Sequence, residues 1–203
     1  MEWYDLSTER KIQWMLSHGD RKWGWVIYRC TYKPGFDSHW DAFKRRLNKK
    51  MCEDIAKSDA PDIADKMDWV VIEDPSLEGA SLDELRRRFR EWARAGNEGH
   101  SNFDVDNPGE GACRGSRYTY FIQVDEGIAN GQVNIVRAWP YPSPPEDMEE
   151  AEADHQPGKA DDMDEEGWMK MRADMVDPYF YVELDNDENW YAYYTPPPGV
   201  CKW

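Results

Sequence analysis

The sequence predicts an α+β fold, a single mixed and partly antiparallel sheet with helices packed against it. Two observations predict it. Two strand–helix–strand passages follow one another through the first 125 residues, and two further strands then succeed each other with only a short link between them. A Rossmann-like parallel α/β sheet is the alternative. Against it, neither GxGxxG nor GxxxxGK[ST] follows any strand.

Each element has a local reason. Ser7 as N-cap, Glu9 in the first turn and Gly19 at the far end mark a helix over 8–18, with Ile12, Met15 and Leu16 inward. "WGWVIYRCTY" (23–32) is dense in β-branched and aromatic residues, so it is a strand. Trp25, Ile27 and Arg29 share one face, and Val26, Tyr28 and Cys30 the other. Both faces are largely apolar, which predicts an interior strand covered on two sides.

Trp40, Phe43, Leu47, Met51 and Ile55 recur at three- and four-residue steps and make a helix over 39–57. "MDWVVIED" (67–74) is expected to be a short buried strand. Ser81 and Glu84 form a capping box that opens a helix reaching about residue 95, with Leu82, Leu85, Phe89 and Trp92 inward. A loop rich in Gly, Asn, Asp and Pro occupies about 96–116. Strands are expected at 117–125 and 131–139, a second loop at about 140–160, a helical turn around 168–175 and a strand at 179–184. "TPPPGVCKW" closes the chain as an extended tail. The sequence has no internal repeat, and residues 1–203 fit one domain.

The formal charge of −16 conceals a partition. Between Glu146 and Glu166 eleven acids face one base, Lys159, for a local −10, and the remaining residues carry only −6. Within that remainder Lys44, Arg45, Arg46, Lys49 and Lys50 stand on one helix with no acid among them. Arg86, Arg87, Arg88, Arg90 and Arg94 crowd the next. Such asymmetry in an acidic chain is the footprint of a polyanion site such as an RNA surface, set against the plain alternative of solvated helix faces. If both helices cover one sheet face, the two sets join into a single patch.

The four cysteines form no CxxC pair and no export signal precedes them, so free thiols and a cytoplasmic location are expected. No apolar run approaches the ~20 residues of a membrane span. The four histidines lack metal-ligand spacing, and no GxSxG occurs. Cys30, Tyr28, Trp23 and Trp25 are expected in the core.

"DDMDEEGWMK" (161–170) is the sharpest motif. Asp161, Asp162 and Glu165 fit DDxxE, directly before an apolar Gly-Trp-Met. Carboxylates this close repel one another and are best tolerated beside a cation, whether Mg²⁺ or a guanidinium fork. A solvated acidic loop is the plainer reading.

The stretches "WYD…KIQWML", "WGWVIYRCTY", "FREWA", "YTYFIQVD" and "EEGWMK" together resemble the fungal arginine-containing cyclodipeptide synthases, over residues 3 to about 170. The resemblance implies an enzyme that takes arginine from arginyl-tRNA and a second residue from another aminoacyl-tRNA. It joins them as a 2,5-diketopiperazine. No ATP and no cofactor is needed, because the tRNA ester is already activated. The DDxxE of that family falls here on Asp161, Asp162 and Glu165, which would read a guanidinium or α-ammonium, with one of them as base. A shifted register would move the motif to Asp164, Glu165 and Glu166. The basic residues Lys44, Arg45, Arg46, Lys49, Lys50, Arg86, Arg87, Arg90 and Arg94 would carry the tRNA backbone. No residue maps onto the serine that bacterial cyclodipeptide synthases acylate, so a covalent step stays open. The rivals are an acidic interaction module that docks on a basic partner, and a Mg²⁺-dependent diphosphate enzyme. The strands argue against the second.

Overall fold

A computed structural model describes residues 3–18, 20–96, 116–138 and 167–202. Among them, six strands form one sheet in the order β2-β1-β3-β4-β5-β6. β1 (Val26–Arg29) is buried along its whole length. It pairs in parallel with β2 (Val70–Ile72) on one side and β3 (Tyr120–Val124) on the other. β4 (Gln132–Arg137) is antiparallel to β3, and β5 (Trp168–Arg172) is antiparallel to β4. β6 (Val200–Cys201) lies parallel to β5. The sheet is therefore mixed, and the α+β reading holds.

The alternating faces of β1 decide where the helices go. Trp25 and Ile27 pack with the stripe Trp40, Phe43, Leu47, Met51 and Ile55 of α2 (Asp37–Lys57). Val26, Tyr28 and Cys30 pack on the other face with Leu85, Phe89 and Ala93 of α3 (Leu82–Gly96). The crossover from β1 to β2 thus covers one face, and the chain leaving β2 covers the opposite one. α1 (Thr8–Ser17) joins the α2 side through Ile12 and Met15, with Ser7 Oγ accepting from the Arg10 N–H at 3.2 Å.

Two buried arginines fasten β1 to β2 at opposite ends. At the carboxyl end, Arg29 donates to the Thr31 carbonyl at 2.9 Å and to Asp37, and lies 3.6 Å from Glu73. Its guanidinium sits 4.4 Å from the Tyr32 ring centroid. At the amino end, Arg117 donates to the carbonyls of Gly24 (3.1 Å) and Asp68 (2.5 Å), and to the Asp68 carboxylate (2.6 Å). Gly24 has φ +122°, and a Cβ there would stand 2.8 Å from the Asp68 carbonyl oxygen, so this entry to the strand needs glycine.

Several expected elements differ. Residues 70–72 form an edge strand and not a buried one, with Val71 38 % exposed. Residues 116–119 make a helical turn, α4 (Ser116–Thr119), so the strand expected from 117 starts at Tyr120. The last third exchanges helix for strand. Residues 168–172 are strand β5 because Met169 and Met171 alternate with Trp168, Lys170 and Arg172, a period of two that buries only the methionines fully.

Residues 178–183 form helix α5 (Pro178–Glu183), not a strand. Asp177 caps it by accepting from the Phe180 N–H at 2.8 Å, and Pro178 fills the first position, where no N–H is needed. Three adjacent residues, Phe180, Tyr181 and Val182, are then buried together, which an alternating strand cannot do. α6 (Asp187–Tyr193) follows. Within the closing tail, Val200 and Cys201 are extended and pair with Lys170 and Met171.

Asp177→Ala should lower stability by about 1–2 kcal/mol, read from the urea midpoint, while Asp177→Asn keeps most of it because asparagine caps equally well. An unchanged midpoint in Asp177→Ala would mean that α5 does not depend on this cap.

Candidate functional site

The two basic helices lie on opposite faces of the sheet, so their cations do not merge into the single patch that a shared face would have made. Each helix also spends part of its charge internally. On α2, Lys44 pairs with Glu73 at 2.8 Å and Asp41 at 3.5 Å, and Lys50 pairs with Asp177 at 3.1 Å. Arg45, Arg46 and Lys49 are exposed, and Lys49 has only a 3.9 Å approach to Glu53.

On α3, Arg87 bonds Glu84 and Glu91, and Arg88 bonds Glu84 and Asp74. The Glu84 carboxyl is held down to about 2 by those two arginines. The expected capping box is half made: Ser81 Oγ accepts from the Glu84 N–H at 3.3 Å, but the Glu84 side chain turns to Arg87 and Arg88.

The row Arg86, Arg90, Arg94 has another role. Arg86, buried, donates Nε to the Arg137 carbonyl at 3.2 Å and reaches Asp83 at 3.3 Å. Arg90 donates Nε to the Ala138 carbonyl at 2.6 Å. Burial, and then the neighbouring Arg86 and Arg94, lower the Arg90 pKa. Arg94 is exposed at the helix end. Arg86 and Arg90 therefore point at the place where β4 ends.

That end of the sheet is the candidate site. The Arg137 N–H donates to the Gly167 carbonyl at 2.9 Å, so β4 leaves and β5 enters side by side. The Ala138 N–H donates to Thr119 of α4 at 2.9 Å, and Arg137 Nη1 reaches the Tyr191 hydroxyl of α6 at 3.4 Å. Trp92 of α3 stacks on Tyr118, and Trp190 of α6 stacks on Tyr120. Arg86 and Arg90 thus close the end of β4 from the α3 face, whereas Arg137, opposite Tyr120 in the register, turns its guanidinium to Tyr191 on the other face.

Asp161, Asp162 and Glu165, and the shifted set Asp164 to Glu166, lie outside the described residues. Gly167, two positions after Glu165, is the first described residue beyond them, and it sits at this arginine-rich end.

Sequence reasoning missed a second constellation, on α5 and α6. Tyr193 donates its hydroxyl to Glu183 Oε2 at 2.9 Å, and Asn189 Nδ2 donates to the Glu183 carbonyl at 2.7 Å. Tyr179, 44 % exposed, stands one turn before Glu183. Burial and the Glu183 carboxylate raise the Tyr193 pKa. A carboxylate flanked by phenols is a receptor for an ammonium or guanidinium group. Reading 179–184 as a strand hid it. Residues four apart stand about 13 Å apart along a strand but only about 6 Å along a helix.

Beneath α5 lies a buried polar cluster. Tyr181, wholly buried, sets its ring edge-on to Trp23 and Trp25. Asp20, in the turn after α1, is pushed up to about 6 by burial and by Asp185, with Arg117 pulling the other way. Among the described residues no three His, Cys, Asp or Glu side chains gather as metal ligands, and no helix is long and apolar enough to cross a membrane. Cys30, Cys52 and Cys201 are free thiols, and burial pushes Cys30 up to about 12. Cys113 and His100 and His155 lie outside the described residues. Comparisons with family models, with curated proteins and with solved structures find no match for this chain.

Asp20 gives a pH prediction. Its folded pKa of about 6 exceeds its ordinary 3.8, so the folded state binds the proton more tightly. Stability should fall as pH rises from about 4 to about 6 and stay lowered above that. Asp20→Asn should flatten this window and gain on the order of 2–3 kcal/mol at pH 7. Urea midpoints that move with pH equally in both proteins would contradict it.

Proposed function

We propose that the chain is an aminoacyl-tRNA-dependent cyclodipeptide synthase, which joins arginine from arginyl-tRNA to a second amino acid as a 2,5-diketopiperazine. One observation carries the reading: Gly167, adjoining the DDxxE motif in sequence, is bonded to Arg137 at the end of β4, and the Arg137 guanidinium turns to Tyr191 of α6. The Arg137 guanidinium suits the ester oxygens of an aminoacyl group, and carboxylates suit the cationic parts of an arginyl group. The reaction needs both within one molecule's reach.

The chemistry balances without ATP. The amine of one aminoacyl group attacks the ester carbonyl of the other, an amide forms, and one tRNA leaves with its ribose hydroxyl restored. The remaining free amine then attacks the remaining ester, which closes the six-membered ring and releases the second tRNA. Each attacking ammonium must first lose a proton, and one of Asp161, Asp162 and Glu165 serves as that base in this reading. The others hold the guanidinium. Glu183, between Tyr179 and Tyr193, offers a further carboxylate suited to an α-ammonium.

The test is reconstitution with arginine, the other common amino acids, tRNA, their synthetases and ATP for the synthetases. The expected result is a cyclo-Arg-X mass, abolished by Asp162→Asn in a protein with an unchanged urea midpoint. A mass spectrum empty of cyclo-Arg-X with every common partner overturns the reading.

A further inference from the structure

We infer that the outer face of α2, through Arg45, Arg46 and Lys49, is the docking surface for an RNA backbone, and that the arginines of α3 are not. The inference deepens the reading above by assigning its macromolecular partner to one face of the fold.

Charge availability separates the helices. On α3, Arg87 and Arg88 are each bonded to two carboxylates, and Arg86 and Arg90 are turned to the carbonyls of Arg137 and Ala138. To recruit them for phosphates would break bonds already made, and for Arg86 would strip a buried group of its acceptor. On α2, Lys44 and Lys50 make the close pairs that hold the helix to Glu73 and Asp177, whereas Lys49 only approaches Glu53 at 3.9 Å and Arg46 acts on Asp174 through space without a hydrogen bond to it. Between Lys44 and Lys50, the side chains of Arg45, Arg46 and Lys49 project outward from the buried stripe Trp40, Phe43, Leu47 and Met51. Arg45 and Lys49 are one turn apart, about 6 Å along the axis, so one backbone strand can meet both.

A membrane-binding helix would offer lipid an apolar face, but the apolar stripe of α2 is already buried in the core. What remains is an exposed, cationic helix face in a chain of net charge −16, which suits a phosphate backbone and carries no base readout. α2 descends from the carboxyl end of β1 toward the end where α5 begins, as the Lys50–Asp177 pair records. An RNA lying along it runs toward the α5–α6 side of the molecule.

The experiment measures binding of bulk deacylated tRNA across a salt series for the full chain, the triple variant R45Q/R46Q/K49Q and R87Q. The triple variant should bind at least tenfold more weakly at low salt, and its log–log salt slope should shrink by about 2 to 3, one phosphate contact per lost cation. R87Q should stay within twofold of the parent. Equal affinity in the triple variant, or an equal loss in R87Q, overturns the inference. So does stronger binding of anionic vesicles or polyglutamate that disappears in the same variant, which would give the face to a membrane or an acidic protein. Cyclic dipeptide made undiminished by the triple variant sinks this surface and leaves the reaction standing. Salt-sensitive tRNA binding lost in the triple variant, in a protein that makes no cyclic dipeptide, does the reverse.

Discussion

Because β1 presents apolar side chains to both sides, neither face of the sheet can be left to water around it, and the chain must bring a helix to each. Trp25 and Ile27 recruit α2 while Val26 and Tyr28 recruit α3. At about 25 cal/mol per Å² of apolar area, burying a tryptophan and three other large side chains outweighs any local preference of the connecting segments. The parallel pairing of β1 with β2 and β3 then follows, since each return path must cross the sheet along a helix. One strand's two-sidedness therefore separates the two most basic segments of the sequence by the thickness of the sheet.

The ends of that strand carry the polar cost of burial. Arg29 and Arg117 reach from β1 and α4 to acids and carbonyls flanking β2, one at each end. Removal of one partner from such a buried pair leaves an unmatched charge, which is why these clamps are more exacting than surface pairs such as Lys49 with Glu53. The same logic divides the cations of the helices. Those of α3 are mostly consumed in holding the end of β4 and in pairing with neighbouring acids, whereas three on α2 remain on the surface. Formal charge on a helix is thus a poor measure of charge offered to a partner.

Much of this was legible in the sequence where periodicity is long. β1, α2 and α3 declare themselves through alternation or through a five-membered stripe, and their faces were readable residue by residue. The last third was not. "WMKMR" has the period of a strand, but it is short and follows an acidic run. "YFYVEL" is rich in aromatics, and its strand propensity was overridden by the Asp177–Pro178 helix start and by three adjacent buried side chains. The helix faces could be derived, but not which side of the sheet each helix takes, because crossover geometry is a property of the whole topology. The Glu183 constellation depends on α5 being a helix, so it was hidden by the same exchange. The carboxylates of the DDxxE motif were legible as a motif, and they lie outside the described residues.

α2 and α3 lie on opposite faces of β1, and the separation of the two basic segments follows from that placement. Site-specific spin labels at positions 46 and 87 test it directly through their dipolar distance. With a sheet between two helix layers, each spaced about 10 Å, the labels should be on the order of 30 Å apart. A distribution centred near 15 Å would put both helices on one face and contradict the account.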